Sequence, residues 1–272
     1  MIKNAELIDS IWHADSHRVG EEVRISHIVT QHGVSTVRSV LPKRAQSEIY
    51  ISGGLLSGAN YQRFVGRAAT RGFITRTLRH GSNSIHGAIE SDADELAAAI
   101  ELHAQDRPVH ITAHSKGGPV AVRAAARLDS SINLKSLLLV NPAIVKTTLP
   151  NANGLIGATC EQIVCLGRLK KAAQGVWHEV THRGLGVIGE VRDLFFGNDD
   201  ISAELDALTI RGVHTMFVGG TFDHLVPASH TAAVLQKLHF DEVRSVDGPI
   251  NGSHFGIMAS DSFVDSLLPK DY

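Results

Sequence analysis

The stretch VHITAHSKGGPVAVRAAARL, residues 109–128, joins a run of alternating β-forming residues to an alanine-rich helical pattern. The junction reads AHSKGG, and small residues stand two places before and two places after Ser115. Strand and helix backbones pass close together at such a bend, which explains the small residues of the usual pattern G-x-S-x-G. Here Ala113 replaces the first glycine and adds one methyl group. The stretch predicts a strand–turn–helix bend with Ser115 at its tip.

A bend of this kind gives chemical roles to two residues. It exposes the Ser115 hydroxyl, and it points the backbone N–H of Lys116, at the start of a helix, towards a developing oxyanion. The alternative is a serine that only caps the helix. The side chain of Lys116 is interpreted as a solvated residue at the helix start, with a cationic contact to a substrate as the alternative.

A serine hydroxyl is a weak nucleophile, and it needs a base that a carboxylate orients. The segment FVGGTFDHLVPASH, residues 217–230, places Asp223 just after a buried strand. The segment DGPINGSHFGIM, residues 247–258, places His254 in a loop between the last strand and the last helix. Because sites in open α/β sheets lie at the carboxyl ends of the strands, we expect both side chains at the same edge as Ser115.

Histidine is abundant, with 16 residues in a chain of 272, so the other histidines need an interpretation. His224, His230 and His239 are interpreted as surface or satisfied core residues. His114 precedes the candidate nucleophile, and we expect it to point to the other face of the turn and to help pack the bend.

Strand and helix patterns alternate along the chain, which predicts an α/β fold with a mainly parallel sheet and an antiparallel start. The predicted strands are residues 21–31, 34–42, 47–54, 73–78, 108–113, 134–142, 213–220 and 241–248. The predicted helices are residues 60–72, 91–106, 116–128, 201–210, 228–238 and 258–268. Ser91 and Asp92 read as capping signals for the second of these helices.

Composition excludes several classes of protein. Hydrophobic residues make up 43% of the chain and charged residues 20%, as in an ordinary globular enzyme. The net charge of -2 gives no basic field for nucleic acid, and no apolar run is long enough to span a membrane. Cys160 and Cys165 are too few for a disulfide framework or a cysteine-based zinc site. The low number of cysteines and an N-terminal region without a signal-peptide pattern both favour a cytoplasmic protein. The sequence does not indicate the oligomeric state.

With these segments placed, the sequence resembles the α/β-hydrolase family over roughly residues 20–142 and 211–272. AHSKGG resembles the nucleophile elbow, GGTFDHLVP the acid loop and GSHFG the histidine loop. The resemblance implies an eight-stranded, mostly parallel sheet flanked by helices, with a helical lid inserted after the sixth strand. The irregular block 143–210 falls at that place, so we expect residues 1–142 and 211–272 to form the core and residues 143–210 to form the lid.

The resemblance also implies a second oxyanion donor in the loop after the third strand of the family. That loop reads SGGL, residues 52–55, with serine where the family often has histidine. By position the donor is the backbone N–H of Gly54, with Leu55 as the second choice. Some members take the acid from the end of the sixth strand, but VNPAIV, residues 140–145, holds no carboxylate there, which favours Asp223.

A rival motif lies in the middle block. His178, Glu179 and His182 form H-E-x-x-H, which on a helix presents two zinc ligands beside a glutamate, and Glu204 is a candidate third ligand. The abundance of histidine makes a chance match unremarkable, and Leu185 stands where the longer form of the motif has glycine. A zinc metallohydrolase is a remote alternative, and we expect neither a metal nor a cofactor.

The resemblance implies a serine hydrolase that cleaves a carboxylic ester or thioester of a small acyl substrate. In that interpretation Ser115 attacks the carbonyl, His254 takes the proton and Asp223 orients the imidazole. Acyl transfer, or cleavage of an amide or lactone by the same residues, is the first alternative. A non-catalytic protein that binds a small ligand on the same fold is the alternative from another class.

Overall fold

The computed structural model describes residues 6–10, 22–53, 61–81, 87–104, 106–144, 184, 200–223, 225–226, 228–248, 251–254, 256–259 and 261–269. The strands are β1 Glu6–Ser10, β2 Glu22–Thr30, β3 Gly33–Leu41, β4 Ser47–Ser52, β5 Phe73–Arg79, β6 Val109–His114, β7 Leu134–Val140, β8 His214–Gly220 and β9 Glu242–Val246. The helices are α1 Gln62–Thr70, α2 Ala88–His103, α3 Gly117–Arg127, α4 Ser202–Ile210, α5 Ala228–Lys237, α6 Gly256–Ala259 and α7 Asp261–Leu267.

The nine strands of the described residues form one sheet in the order β1-β2-β3-β5-β4-β6-β7-β8-β9. The pairs β1–β2, β2–β3 and β3–β5 are antiparallel, and the pairs from β5 through β4, β6, β7 and β8 to β9 are parallel. The mostly parallel sheet with an antiparallel start is therefore confirmed. The ninth strand, β1, was not predicted, because its sequence ELIDS carries little alternation and an edge strand is held by backbone hydrogen bonds to its neighbour.

Helices cover both faces of the sheet, which is why the central strands are apolar on both sides. In β7, Leu137 and Leu139 are fully buried in one core cluster, whereas Leu138 and Val140 are buried in the other. This alternation is the two-residue period of a strand. Residues of α2, α3, α4 and α5 contribute to the first cluster, and residues of α1, α6 and α7 contribute to the second.

The start of α2 differs from its prediction. The helix begins at Ala88 after Gly87, whose φ is 65°, and no side chain caps it. Ser91 and Asp92 lie inside the helix and are buried, so the interpretation of these residues as caps is wrong. A polar side chain that finds a partner across the fold is not available to cap its own helix, and Asp92 has such a partner in Lys116.

Most of the expected lid, residues 145–199 apart from Gly184, lies outside the described residues, and the lid stays a prediction. The end of that block is described as α4, whose Leu205 and Leu208 are buried in the core cluster with α2 and α3. Across the described part of the chain, none of the helices combines the length and apolar character that crossing a bilayer requires.

Candidate active site

Ser115 sits at the tip of the bend between β6 and α3. Its φ is 56°, a left-handed backbone conformation that is strained in a residue other than glycine. The surrounding backbone holds it there: the Ser115 amide donates to the Val140 carbonyl at 3.1 Å, and the Ser115 carbonyl accepts from Gly118 and Ala143 at 3.0 Å each. The residue is partly exposed at the carboxyl edge of the sheet. The sequence prediction of a sharp bend at this residue is met by the backbone.

The glycines after Ser115 are required by close backbone contacts. A Cβ atom on Gly117 would lie 2.3 Å from the Ser52 carbonyl oxygen at the end of β4, closer than real Cβ atoms approach. A Cβ atom on Gly118 would lie 2.6 Å from Cβ of Pro142. The helix α3 therefore starts between the ends of β4 and β7, the two strands that flank β6, and glycines let the chain segments pass close together.

Asp223 and His254 meet directly, although 31 residues separate them in the chain. Nδ1 of His254 lies 2.7 Å from Oδ2 of Asp223, and both side chains are buried. Because the carboxylate oxygen accepts this hydrogen bond, Nδ1 carries the proton, and Nε2 of His254 is the ring nitrogen that can act as a base. The other carboxylate oxygen of Asp223 accepts backbone N–H bonds from Leu225 at 2.8 Å and Val226 at 2.7 Å.

The acid loop and the histidine loop are joined through their backbones. The amide of Phe222 donates to the Gly252 carbonyl at 3.0 Å, and the amide of Thr221 donates to the Val246 carbonyl at 3.0 Å. A Cβ atom on Gly220 would lie 2.1 Å from the same Gly252 carbonyl oxygen. These contacts fix the distance between the two loops, so the Asp223–His254 bond is supported on both sides.

His114 links the loop that carries His254 to the bend at Ser115. Its Nε2 lies 2.7 Å from the His254 carbonyl oxygen and must donate to it, and its Nδ1 lies 3.0 Å from the Tyr61 hydroxyl and accepts from it. Both ring nitrogens are thus satisfied in the neutral form. The pKa of His114 is lowered to about 3, mainly by burial and secondly by the nearby His254. Its contact with His254 is one that the sequence interpretation missed.

Asn141, just after β7, is a second residue that the sequence interpretation missed. Its φ is 42°, and its side-chain oxygen accepts the Gly220 amide at 2.7 Å. Its side-chain nitrogen donates to the carbonyls of Ser253 and His254 at 3.4 Å each. In some members of the family that the sequence resembles, this position holds the acid. Here it holds an amide, which joins the end of β8 to the histidine loop.

The side chain of Lys116 is not solvated, so that interpretation is wrong. The whole residue is 2% exposed, and its Nζ lies 2.6 Å from Oδ2 of Asp92 on α2. Asp92 is fully buried. The charge of the ammonium is balanced inside the protein, and no local sequence signal near residue 116 identifies the partner 24 residues away.

Several predicted residues lie outside the described residues. These are the two oxyanion candidates Gly54 and Leu55, the H-E-x-x-H residues His178, Glu179 and His182, and the histidine His224; the side chain of His230 is likewise undescribed. Of the others, Glu204 is half-buried on α4 and His239 is exposed.

One group of side chains in the described part of the chain has donor atoms spaced for a cation. Ligand atoms of His80, Asp92 and Glu95 lie within 4.8 Å of one another, and all three residues are buried. The ammonium of Lys116 already bonds Asp92 and gives this acidic pair a positive partner. A divalent ion would have to lie beside that ammonium, and the repulsion between the two makes this a poor metal site. We assign the cluster no metal.

Comparison with known proteins finds similar structures, whereas the family models and the curated proteins give no match. The naproxen esterase (carboxylesterase NP) of Bacillus subtilis is 14% identical, with 90% of each chain covered and a TM-score of 0.67. The thioesterase domain of the curacin biosynthetic pathway is 15% identical, with 91% of this chain and 99% of that chain covered and a TM-score of 0.62. A bromoperoxidase of Bacillus anthracis is 14% identical, with 90% and 94% covered and a TM-score of 0.62.

Proposed function

The chain has the α/β-hydrolase fold, and from that premise we propose that it is a serine hydrolase that cleaves a carboxylic ester or thioester. One fold hosts many activities, so the fold alone does not identify the reaction. The observation that carries the proposal is the 2.7 Å bond between His254 and Asp223, together with the strained bend at Ser115, which His114 ties to the His254 carbonyl. These are the groups that nucleophilic acyl transfer needs.

The proposed reaction begins when Oγ of Ser115 attacks the carbonyl carbon of the substrate. Nε2 of His254 takes the hydroxyl proton, and the carboxylate of Asp223 stabilises the resulting imidazolium through Nδ1–H. The carbonyl oxygen gains the negative charge, and the backbone N–H of Lys116 donates to it, with the N–H of Gly54 as the proposed second donor. Because these donors are fixed before the reaction, they stabilise the charge without rearranging.

The tetrahedral intermediate then collapses, and the alcohol or thiol leaves with the proton held by His254. A water molecule attacks the acyl-enzyme in the second half of the cycle, and His254 again accepts and returns the proton. His114 remains neutral throughout, because burial lowers its pKa to about 3. A positive charge on its ring would oppose the imidazolium that His254 forms.

We propose a small-molecule acyl compound as the substrate and no cofactor. Structures similar to this one include an esterase and a thioesterase domain, so both ester and thioester substrates belong in the first test. The same side chains would serve acyl transfer or cleavage of an amide or lactone. With only Cys160 and Cys165 in the chain, we retain the proposal of a reducing, cytoplasmic environment.

The test is a screen of p-nitrophenyl esters and acyl thioesters of increasing chain length with the full-length protein. We expect hydrolysis by the wild type and loss of hydrolysis in Ser115→Ala. The matched control is Ser131→Ala, which removes an exposed hydroxyl and should leave the rate unchanged.

Two further outcomes separate the alternatives. Hydrolysis that persists in Ser115→Ala but is lost with a chelator would identify the zinc alternative. Ligand binding without any hydrolysis or covalent labelling would identify a non-catalytic protein of the same fold. Either result would contradict the proposed serine mechanism.

A further inference from the structure

Lys116 is an unusual residue for its position. It precedes α3 with helical dihedral angles (φ −53°, ψ −30°), and its side chain is buried. An ammonium close to a helix N-terminus is opposed by the partial positive charge of the exposed N–H groups. Burial of a charge also requires a partner of opposite sign. An apolar side chain would fill the same space without either penalty. The presence of a charged residue at position 116 therefore needs an explanation.

We propose that Asp92 is a positioning residue of the oxyanion hole, and that it acts through the side chain of Lys116. The inference rests on the proposed function, in which the backbone N–H of Lys116 stabilises the oxyanion. Asp92 does not touch the reacting atoms. Its bond to Nζ, at 2.6 Å, anchors the residue that follows the nucleophile to the body of α2.

The anchor is rigid because α2 is a core element. The helix runs from Ala88 to His103, and Asp92 itself has no exposed surface. The side chain of Lys116 is only 3% exposed, so its four methylene groups are buried together with the ammonium. A misplaced donor is costly to catalysis, because an oxyanion donor acts only when it lies within hydrogen-bond distance of the developing charge.

Asp92 lies in a cluster of buried polar side chains. Nδ1 of His80, just after β5, lies 3.7 Å from Oδ1 of Asp92 and 3.1 Å from Oε2 of Glu95. The same oxygen of Glu95 accepts the Gly81 amide at 3.0 Å. Asp92 and Glu95 are three residues apart on one face of α2. Through the carboxylates of Asp92 and Glu95, α2 contacts both the residues just after β5 and the bend at Ser115.

The test compares variants by the rate constant for covalent labelling with a fluorophosphonate. In this reaction Oγ of Ser115 attacks phosphorus, fluoride leaves, and the phosphoryl oxygen occupies the oxyanion site, so no natural substrate is needed. We expect Asp92→Asn to slow labelling by about 10- to 100-fold, less than the ~10²–10³-fold loss from removing a donor outright. With an ester from the screen, kcat should fall while KM stays within about twofold.

Two control variants separate positioning from stability. Asp94→Asn removes a carboxylate that also joins α2 to α3, through Arg127 at 2.7 Å. Glu48→Gln disturbs an equally buried ion pair, with Arg76 at 2.8 Å, within the sheet. We expect both controls to lower the midpoint of urea unfolding and to leave the labelling rate unchanged.

The double variant Asp92→Asn/Lys116→Met decides the question if Asp92→Asn folds poorly. It removes the uncompensated ammonium and should recover stability, since apolar replacements for buried ion pairs are often tolerated. We expect its labelling to stay at least 10-fold slower than that of the wild type. Labelling at the wild-type rate in Asp92→Asn or in the double variant would overturn the positioning role alone. Absence of labelling in the wild type would overturn the proposed function with it.

Discussion

The imidazole rings of His114 and His254 lie 4.6 Å apart between centroids, with 48° between their planes. His114 donates a hydrogen bond to the backbone carbonyl of His254 at 2.7 Å, and its pKa is lowered to about 3, first by burial. The ring of His114 therefore stays neutral near neutral pH. The neutral ring of His114 acts as a fixed support for the loop that carries the proposed base.

The pH dependence of stability tests this assignment. Unfolded His114 binds a proton below pH ~6.5, whereas the folded residue does so only below about 3. Between these values the unfolded state binds more protons, so the free energy of unfolding falls as the pH falls. We expect His114→Gln to make that slope shallower by about 1.4 kcal/mol per pH unit between pH 4 and 5.5, measured by urea unfolding.

His110 supplies the control for this experiment. It lies on the same strand, and its burial lowers its pKa to about 4. His110→Gln should also make the slope shallower above pH 4, with the same sign, yet leave hydrolysis unchanged. If His114→Gln left the slope as in the wild type, the neutral state of His114 in the folded protein would be wrong.

Replacement of the proposed acid tests the role of Asp223. We expect Asp223→Asn to lower kcat by roughly 10³–10⁴-fold, because the amide supports the wrong tautomer of His254. Asp241→Asn is the control, since Asp241 likewise accepts a backbone amide, from Thr215 at 2.7 Å, but lies away from the site. Steady-state hydrolysis of an ester found in the screen provides the rates. Equal kcat values for wild type and Asp223→Asn would remove Asp223 from the mechanism.

Asn141 allows a test of one donor without loss of volume. Asn141→Asp keeps an acceptor for the Gly220 amide but replaces the donor to the carbonyls of Ser253 and His254 with an anionic oxygen. We expect the free energy of unfolding to fall by about 1–3 kcal/mol, and kcat to fall as the histidine loop loses its support. Urea unfolding and hydrolysis are measured on the same samples. No change in either quantity would show that this bridge has no role.

Replacement by alanine should have different outcomes at Gly117 and at Gly212. In Gly117→Ala the new Cβ would meet the Ser52 carbonyl at 2.3 Å, so the bend must shift, and we expect loss of both stability and labelling of Ser115. Gly212 has a φ of +73°, and a Cβ atom added there would meet no atom of the described residues within 4 Å. Gly212→Ala should lose about 1–2 kcal/mol of stability from backbone strain and keep full labelling. Equal labelling in both variants would contradict a close-packed bend.

Local patterns predicted much of the fold. The bend at Ser115 was predictable because a two-residue period ends where a helical period begins, with small residues on both sides. The apolar run of β7 identified a central strand, because a strand that is covered on both faces is apolar on both sides. The start of α2 was misplaced because Ser91 and Asp92 look like caps when only neighbours in sequence are considered. Their burial is decided by packing across the fold.

The residues missed in the site share one property: their partners are distant in the chain. The bond from His114 reaches a residue 140 positions away, and that from Asn141 reaches residues 112 and 113 positions away. Hydrophobic period and turn chemistry carry no information about such pairs. For the same reason Lys116 was interpreted as solvated, since the carboxylate that allows its burial lies on α2.

Fluorophosphonate labelling of the full-length protein, followed by mass spectrometry of its peptides, tests the central claim most directly. We expect the wild type to carry one adduct on the peptide that contains Ser115. The adduct should be absent in Ser115→Ala and strongly reduced when His254 is replaced by alanine. A folded wild type that takes up no probe, or a Ser115→Ala variant that is labelled as fast as the wild type, would contradict the account.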